Sequence, residues 1–213
     1  MNQKQKLLGY YNYTVILTYI GMLVGFLGVI YAFEDNTFAA VVCLMVAGLC
    51  DMFDGAVAST RVRTEQEKCF GIQIDSFSDL ICFGVLPAVI VYSQNLRNYV
   101  VLTVCCLYVL CALIRLAYYN VDEQERQKTS SASREVYRGM PVTLSALFVP
   151  IIFGATRIFN WRPALAPAVS LLMMAILFLI PFPLRKPKLI GKICVILCGI
   201  LELVFVILAC DAV

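Results

Sequence analysis

Long apolar runs alternate with mostly short polar segments along almost the whole chain. Most of the apolar runs reach about 20 residues, the length of helix that crosses the hydrocarbon core of a bilayer. Helices joined by short polar segments must be antiparallel neighbours. The pattern therefore predicts an all-α polytopic transmembrane bundle, with spans at residues 14–33, 38–59, 69–93, 99–120, 141–158, 163–182 and 189–210.

The composition agrees with a membrane protein. Hydrophobic residues make up 61% of the chain and charged residues 15%, against about 25% charged residues in soluble domains. Residues 1–13 are too polar to span and are expected to form an interfacial helix; without a small-residue cleavage site, a removed signal peptide is not expected. We expect one integral membrane domain over residues 1–213, surrounded by the lipid bilayer and without a nucleic-acid partner.

The chain has no histidine and ten cysteines. Without histidine there are no histidine triads, proton relays or histidine metal ligands, so acid–base chemistry falls to carboxylates. The cysteines lie in or at the start of apolar runs and form no C-x-x-C pair. We therefore expect them to act as small hydrophobic residues rather than as disulfides or zinc ligands.

Lysine and arginine are unevenly distributed between the two ends of the predicted spans. With the N-terminus inside, thirteen of them fall on the cytoplasmic side, whereas only Arg97, Arg157 and Arg162 fall outside. Because cytoplasmic loops are enriched in lysine and arginine, this bias predicts a multi-pass plasma-membrane protein with a cytoplasmic N-terminus.

Four aspartates lie inside or beside the second and third spans. Asp51 and Asp54 are three residues apart and Asp75 and Asp79 are four apart, so each pair shares one face of its helix. The connector 59–68 is short, which makes the two helices neighbours with their carboxylates at similar depth. Carboxylates in hydrocarbon face a cavity, a partner or a metal, and four together favour a hard cation such as Mg²⁺ or Mn²⁺. A structural cation site or an ion pathway is the alternative interpretation.

Two motifs in these spans resemble the signature of the CDP-alcohol phosphotransferase family: Asp51-x2-Asp54-Gly55-x2-Ala58 and Gly71-x3-Asp75-x3-Asp79. Members of that family are membrane enzymes that displace CMP from a CDP-linked lipid with an alcohol. Two further stretches, Arg115–Asn120 and Tyr137–Pro141, are similar to the bacterial branch that makes phosphatidylserine. The resemblance reaches most of Asn12–Phe182, and the seventh span looks like an addition to the family's six-helix core.

The resemblance implies a role for each aspartate. In the family the first three bind metal, here Asp51, Asp54 and Asp75, and the metal bridges the diphosphate of the donor. The fourth, Asp79, would be the general base on the acceptor hydroxyl and can also touch a metal. The resemblance also implies a homodimer.

Small residues in the motifs are expected to serve substrate binding. Gly55 and Ala58 would let the nucleotide or phosphate approach the backbone, and Gly71 would let the two helices close; simple packing of small residues is the alternative. The family has arginine at the position of Ser59, and the connector here is longer than its common form. If the helix continues, Arg63 returns to the same face and can grip phosphate, although a positive-inside anchor is equally compatible.

Three further polar residues are expected to serve substrate binding: Arg115 lies inside the fourth span, and Asn120 and Arg138 flank the same predicted cytoplasmic opening. A buried Arg115 requires an anion, which could be the lipid phosphate or an aspartate of the cluster; a structural salt bridge is the alternative. Arg138 is expected either to contact the headgroup or serine carboxylate or to be a solvated charge. The loop 121–140 is interpreted as a solvated, mobile face.

The expected activity is transfer of a phosphatidyl group from CDP-diacylglycerol to the hydroxyl of L-serine, giving phosphatidylserine and CMP. The choice of serine depends only on Arg115–Asn120 and Tyr137–Pro141, so glycerol phosphate or inositol phosphate is an alternative acceptor. A divalent cation transporter is the alternative of another class. It is less favoured because the aspartates lie toward one membrane face and no inverted repeat is visible.

Overall fold

The computed structural model describes residues 9–94, 98–129, 136–159, 165–185 and 189–211. Within these ranges the protein is a bundle of helices with one two-stranded sheet, which confirms the predicted all-α membrane bundle. The helices are α1 (Ile16–Phe33), α2 (Thr37–Ala58), α3 (Glu65–Asp79), α4 (Leu86–Ser93), α5 (Tyr99–Thr129), α6 (Ser145–Ile158), α7 (Leu165–Leu179) and α8 (Leu189–Asp211).

Most of the predicted spans are long enough to cross a bilayer. Five helical segments of the described chain meet the length and hydropathy that a crossing needs: Tyr13–Phe33, Thr37–Ala58, Glu65–Ser93, Tyr99–Arg126 and Ile193–Cys210. The predicted fifth and sixth spans are shorter apolar helices, Val142–Ile158 and Leu165–Leu179. The predicted start of the sixth span, at residue 163, lies outside the described residues.

A face of small residues on α1 allows the close packing that builds the centre of the bundle. A Cβ atom placed on Gly21 would lie 3.1 Å from the Cβ of Cys50, and one on Gly28 would lie 2.9 Å from the Cβ of Cys43. Both cysteines belong to α2, so α1 and α2 approach almost backbone to backbone along this face. This packing brings the polar residues of α1 next to the aspartates of α2.

The predicted third span is one continuous helix with a distortion in its middle. α3 ends at Asp79, a π-helical segment covers Leu80–Val85, and α4 follows. In the π segment the N–H of Leu86 donates to the carbonyl of Ile81, five residues earlier. Such π segments are rare and often lie at functional sites, and this one begins directly after an aspartate of the motif.

Pro87 provides a cause for the distortion. Proline has no N–H, so the carbonyl of Phe83, four residues earlier, has no donor within an α-helix. The hydroxyls of Tyr108 (2.7 Å) and Ser145 (3.3 Å) donate to that carbonyl instead. Both donors are fully buried, so α5 and α6 together satisfy the oxygen that the proline leaves unpaired.

The predicted fourth span is the first part of a longer helix. α5 continues to Thr129, so the interpretation of 121–140 as a loop is wrong for residues 121–129. This extension contains no glycine or proline, and Arg126 donates from Nε to Glu123 at 2.9 Å, an i,i+3 pair that supports a helix. Residues 130–135 of the predicted loop lie outside the described residues.

Two short antiparallel strands, β1 (Val136–Arg138) and β2 (Pro183–Arg185), were missed by the sequence analysis. Gly139 follows β1 with a φ of +82°, and its N–H donates to the carbonyl of Phe182 at 2.7 Å. A Cβ atom on Gly139 would lie 2.8 Å from the carbonyl oxygen of Ile180. Only glycine fits both the backbone angle and this space.

The N-terminal segment runs along the connector between α2 and α3. Gly9–Asn12 is not helical, and Tyr13–Val15 forms one 3₁₀ turn before α1. Residues 1–8, which hold most of the predicted interfacial helix, lie outside the described residues.

Candidate active site

The four aspartates line one small cavity between α1, α2 and the π-distorted helix. One carboxylate oxygen from each of Asp51, Asp54 and Asp75 lies within 4.8 Å of the other two. A hard cation holds its oxygen ligands at about 2.0–2.6 Å, so two ligands of one ion are at most about 5 Å apart. The spacing and the all-carboxylate donor set therefore fit a single Mg²⁺ or Mn²⁺ ion.

Asp79 completes the cavity from one helical turn deeper than Asp75. Its carboxyl group contacts that of Asp51, and the carboxyl group of Asp75 contacts that of Asp54. Each contact joins α2 to α3. Like charges at this distance repel strongly where little water is present, so this arrangement favours a bound cation.

Helix α1 contributes a residue that the sequence analysis missed. The hydroxyl of Thr18 donates to Oδ2 of Asp54 at 3.2 Å, and both residues are buried. The hydroxyl of Ser78 donates in turn to the carbonyl of Thr18 at 3.4 Å. The signal in the sequence was a polar residue three positions before Gly21, on the small-residue face of α1.

Two thiols form part of the cavity wall. Cys50 and Cys82 line the cavity, and the thiol of Cys82 donates to the carbonyl of Gly21 at 3.4 Å. All ten cysteines are free, and several, including Cys69 and Cys106, are exposed.

The end of α2 forms an open region beside the aspartates. Gly55 is exposed, and a Cβ atom placed on it would meet nothing within 4 Å. Ala58 is the last residue of the helix. Ser59 caps it: its N–H donates to the carbonyl of Gly55 at 3.2 Å and its hydroxyl to that of Ala56 at 2.7 Å.

Because α2 ends here, the assumption that it continues to Arg63 is wrong. Arg63 lies instead in the non-helical connector, and its guanidinium lies beside Gly71 of α3. A Cβ atom on Gly71 would lie 3.2 Å from Nη1 of Arg63. Gly71, which lies one turn before Asp75, therefore makes room for this arginine. The expected close approach of α2 at Gly71 is not seen among its near contacts with the described residues.

The remaining predicted residues, Arg115, Asn120 and Arg138, belong to α5 and β1. Arg115 is buried and donates to the carbonyls of Met140 (3.2 Å) and Gly139 (3.5 Å), while its guanidinium lies 5.8 Å from the ring centre of Tyr119. These contacts hold the turn after β1. The role of Arg115 as an anion ligand stays a prediction.

Asn120 connects α5 to α3 directly beside a predicted metal ligand. Its Oδ1 accepts a hydrogen bond of 2.8 Å from the hydroxyl of Ser76, the residue after Asp75. The backbone of Arg138 belongs to β1, and its side chain lies outside the described part of the chain.

The fold and the cavity define a membrane-embedded helical protein with a carboxylate site suited to a divalent cation. Residues 11–181 match the family model of the CDP-alcohol phosphatidyltransferases, and the chain belongs to that family. The match confirms the resemblance drawn from the two aspartate motifs, and it ends before α8, as expected for an added helix.

Named relatives share this region. The chain is 32% identical over 132 residues to a CDP-diacylglycerol–serine O-phosphatidyltransferase of Mycobacterium bovis, covering 62% of this chain and 45% of that protein. It is 28% identical over 144 residues to the Bacillus subtilis protein of the same name, covering 66% and 75%. It is 29% identical over 150 residues to an archaetidylserine synthase of Methanothermobacter thermautotrophicus, covering 70% and 60%. The matched region thus spans less than half the length of the mycobacterial relative.

Proposed function

We propose that this protein transfers a phosphatidyl group from CDP-diacylglycerol to the hydroxyl of L-serine, giving phosphatidylserine and CMP. The observation that carries the proposal is the meeting of Asp51, Asp54, Asp75 and Asp79 in one cavity. The serine acceptor is supported by the names of the mycobacterial and Bacillus relatives.

The three aspartates with closely spaced oxygens would hold Mg²⁺ or Mn²⁺. A bound divalent cation supplies charge neutralisation for the diphosphate and for the departing CMP. Asp51 and Asp54 belong to α2 and Asp75 belongs to α3. An ion bound by all three would therefore also fix the two helices relative to each other. Thr18 supports this set by holding the carboxylate of Asp54 in one orientation.

Asp79 is proposed as the general base. Its carboxylate would accept the proton of the serine hydroxyl as that oxygen bonds to the β-phosphorus of the donor and the bond to CMP breaks. Phosphoryl-type transfer depends mainly on positioning and charge stabilisation, and a well-placed base adds about 10²–10⁴-fold in rate. Asp79 lies one helical turn deeper than Asp75 and beside Asp51, which leaves the shallower Asp54 and Asp75 to the donor.

The mouth of the cavity offers room and positive charge for the donor. Gly55 leaves open space beside Asp54, and Ala58 and Ser59 end α2 with small side chains. Arg63 is half-buried and has no hydrogen-bond or ion-pair partner among the described residues. We assign to it the phosphate contact that the family arginine would make from the position of Ser59. Arg115, Asn120 and Arg138 stay candidates for the acceptor side.

We propose that the cavity mouth opens on the cytoplasmic side of the plasma membrane, which the uneven distribution of lysine and arginine supports. Cysteines introduced at positions 64–67 should resist membrane-impermeant labelling from outside in intact cells; equal labelling from outside would overturn this orientation. A homodimer is proposed from the family resemblance alone, and crosslinking of the purified protein tests it.

The activity is tested with purified protein, CDP-diacylglycerol and radiolabelled L-serine in the presence of Mn²⁺ or Mg²⁺. We expect labelled phosphatidylserine and stoichiometric CMP, both abolished by EDTA and restored by added metal. Parallel reactions contain glycerol phosphate or inositol phosphate, and product from either but not from serine would change the acceptor. No transfer to any acceptor, together with cation flux in proteoliposomes, would replace the enzyme by a transporter.

A further inference from the structure

The connector between α2 and α3 carries two arginines in different surroundings. Nη2 of Arg61 lies 3.5 Å from Oε1 of Glu67, so its charge is paired. Arg63 has no such partner among the described residues, and its guanidinium lies over Gly71. The two side chains are therefore not interchangeable, although only one residue separates them.

Glu67 holds the chain on both sides of Arg63. Its Oε2 accepts hydrogen bonds from the N–H (2.9 Å) and the hydroxyl (3.3 Å) of Thr64. The hydroxyl of Thr64 accepts from the N–H of Glu67 at 3.2 Å, which completes a capping box at the start of α3. The other carboxylate oxygen binds Arg61. One side chain thus fixes the residue directly after Arg63 and the residue two positions before it.

The N-terminal segment adds support to the same carboxylate. Nδ2 of Asn12 donates to Oε1 of Glu67 at 3.3 Å, and the hydroxyl of Tyr10 donates to Gln66 at 2.9 Å. The ring of Tyr10 packs edge-on against Phe70 with 5.5 Å between centroids. Glu67 lies in the first turn of α3, and its side chain is only 14% exposed.

We propose that Glu67 is a positioning residue: it orders the connector so that Arg63, and not Arg61, faces the donor diphosphate. This inference rests on the proposed function. A non-helical connector loses conformational freedom when a ligand orders it, and a connector already fixed by Glu67 avoids that cost on binding. Glu67 also neutralises the charge of Arg61. The guanidinium of Arg63 instead occupies the space that Gly71 leaves one helical turn before Asp75.

A double-mutant cycle between Glu67 and Arg63 tests the proposal. We expect Glu67→Ala to raise the KM for CDP-diacylglycerol by about tenfold, as does loss of one charge-assisted hydrogen bond, with kcat changed less than about twofold. Arg63→Ala should raise the donor KM at least as much. In the Arg63→Ala background, Glu67→Ala should add almost nothing, because its effect passes through Arg63.

Matched controls separate positioning from general folding. Glu65 lies in the same helical turn, is 84% exposed and pairs with Lys68 at 2.8 Å, so Glu65→Ala should leave both constants unchanged. Arg61→Ala should leave the donor KM within about twofold of wild type. If Glu67→Ala does not fold, Glu67→Gln, which keeps an acceptor for Thr64, is used in the same cycle.

Additive effects of the Glu67 and Arg63 substitutions would overturn the inference, because Glu67 would then act independently of Arg63. A rise in donor KM for Arg61→Ala equal to that for Arg63→Ala would also overturn it. Either result requires an active wild-type enzyme. Absence of any turnover of the CDP-linked lipid by wild type would instead overturn the proposed function.

Discussion

The hydroxyl of Tyr108 donates a 2.7 Å hydrogen bond to the carbonyl of Phe83, four residues before Pro87. Phe83 lines the aspartate cavity, so α5 stabilises the helical distortion that forms one wall of the site. Ser145 is the second donor to the same oxygen. This hydrogen bond therefore connects the helix distortion at Pro87 with the wall of the aspartate cavity.

Removing this donor should cost stability. Tyr108→Phe loses one buried hydrogen bond and is expected to destabilise the protein by about 0.5–1.5 kcal/mol, seen as a lower melting temperature in detergent. Tyr108→Phe combined with Ser145→Ala leaves the carbonyl without either donor, so the loss should exceed the sum of the two single losses. Tyr118→Phe, at an exposed position of the same helix, is the control. Equal effects of Tyr108→Phe and Tyr118→Phe would contradict the role of this bond.

The three close carboxylates should share one cation. Asp51→Asn, Asp54→Asn and Asp75→Asn are each expected to weaken Mn²⁺ binding by at least about tenfold, the effect of a contact worth 1.4 kcal/mol. Binding is measured by titration of the purified protein, independently of turnover. Asp35→Asn, at an exposed turn with a positive φ that asparagine tolerates, should bind normally. Wild-type affinity in any of the three variants would remove that residue from the ligand set.

Asp79 should behave differently from its neighbours. Asp79→Asn keeps the size of the side chain but cannot accept a proton from the acceptor. We expect kcat to fall by about 10²–10⁴-fold, with donor affinity and Mn²⁺ affinity nearly unchanged. Both are measured on the same preparation. A proportionate loss of metal and donor binding would make Asp79 a fourth metal ligand, and the base would have to be another group.

Gly139 should not tolerate a side chain. Gly139→Ala places a Cβ atom 2.8 Å from the carbonyl oxygen of Ile180 at a φ of +82°, so we expect a loss of about 1–3 kcal/mol. The turn also receives the hydrogen bonds of Arg115. Gly199→Ala, in the interior of α8 with nothing within 4 Å of the added atom, should be neutral or stabilising. Equal melting temperatures of the two variants would contradict this account.

Helix α8 carries a carboxyl group whose burial is costly. Among the described residues, Oε2 of Glu202 is the one buried side-chain nitrogen or oxygen without a hydrogen-bond partner, and Glu202 is 8% exposed. Glu202→Leu should therefore stabilise the protein by about 1–3 kcal/mol. The control is Glu34→Leu at an exposed turn. A lower melting temperature for Glu202→Leu would indicate that the carboxyl group has a partner in the membrane.

The bundle and the meeting of the aspartates could be predicted because both follow from local spacing. The length of each span follows from the length of its apolar run, and residues three or four positions apart lie on the same face of a helix. Because the connector between the second and third spans is short, these spans are neighbours, and Asp51 and Asp75 are expected to lie close together. Nothing beyond neighbouring helices was needed for either step.

Features that depend on distant residues were not predictable in the same way. The π segment needs donors from α5 and α6, and each strand has only three residues, too few for a visible alternation. The predicted continuation of α2 to Arg63 was wrong because Ser59 caps the helix through its backbone N–H and its hydroxyl. A serine at a helix end is compatible with both continuation and capping, and the local sequence did not distinguish them.

The two thiols in the cavity wall affect which metals are hazardous to the protein. Carboxylates prefer hard ions, whereas Cys50 and Cys82 offer sulfur, which prefers soft ones. A cadmium or mercury ion entering this cavity would meet the thiols of Cys50 and Cys82 in its wall, which such soft ions prefer to carboxylates. We therefore expect cadmium or mercury to inhibit this protein at lower concentrations than a protein whose magnesium site is surrounded by oxygen ligands alone.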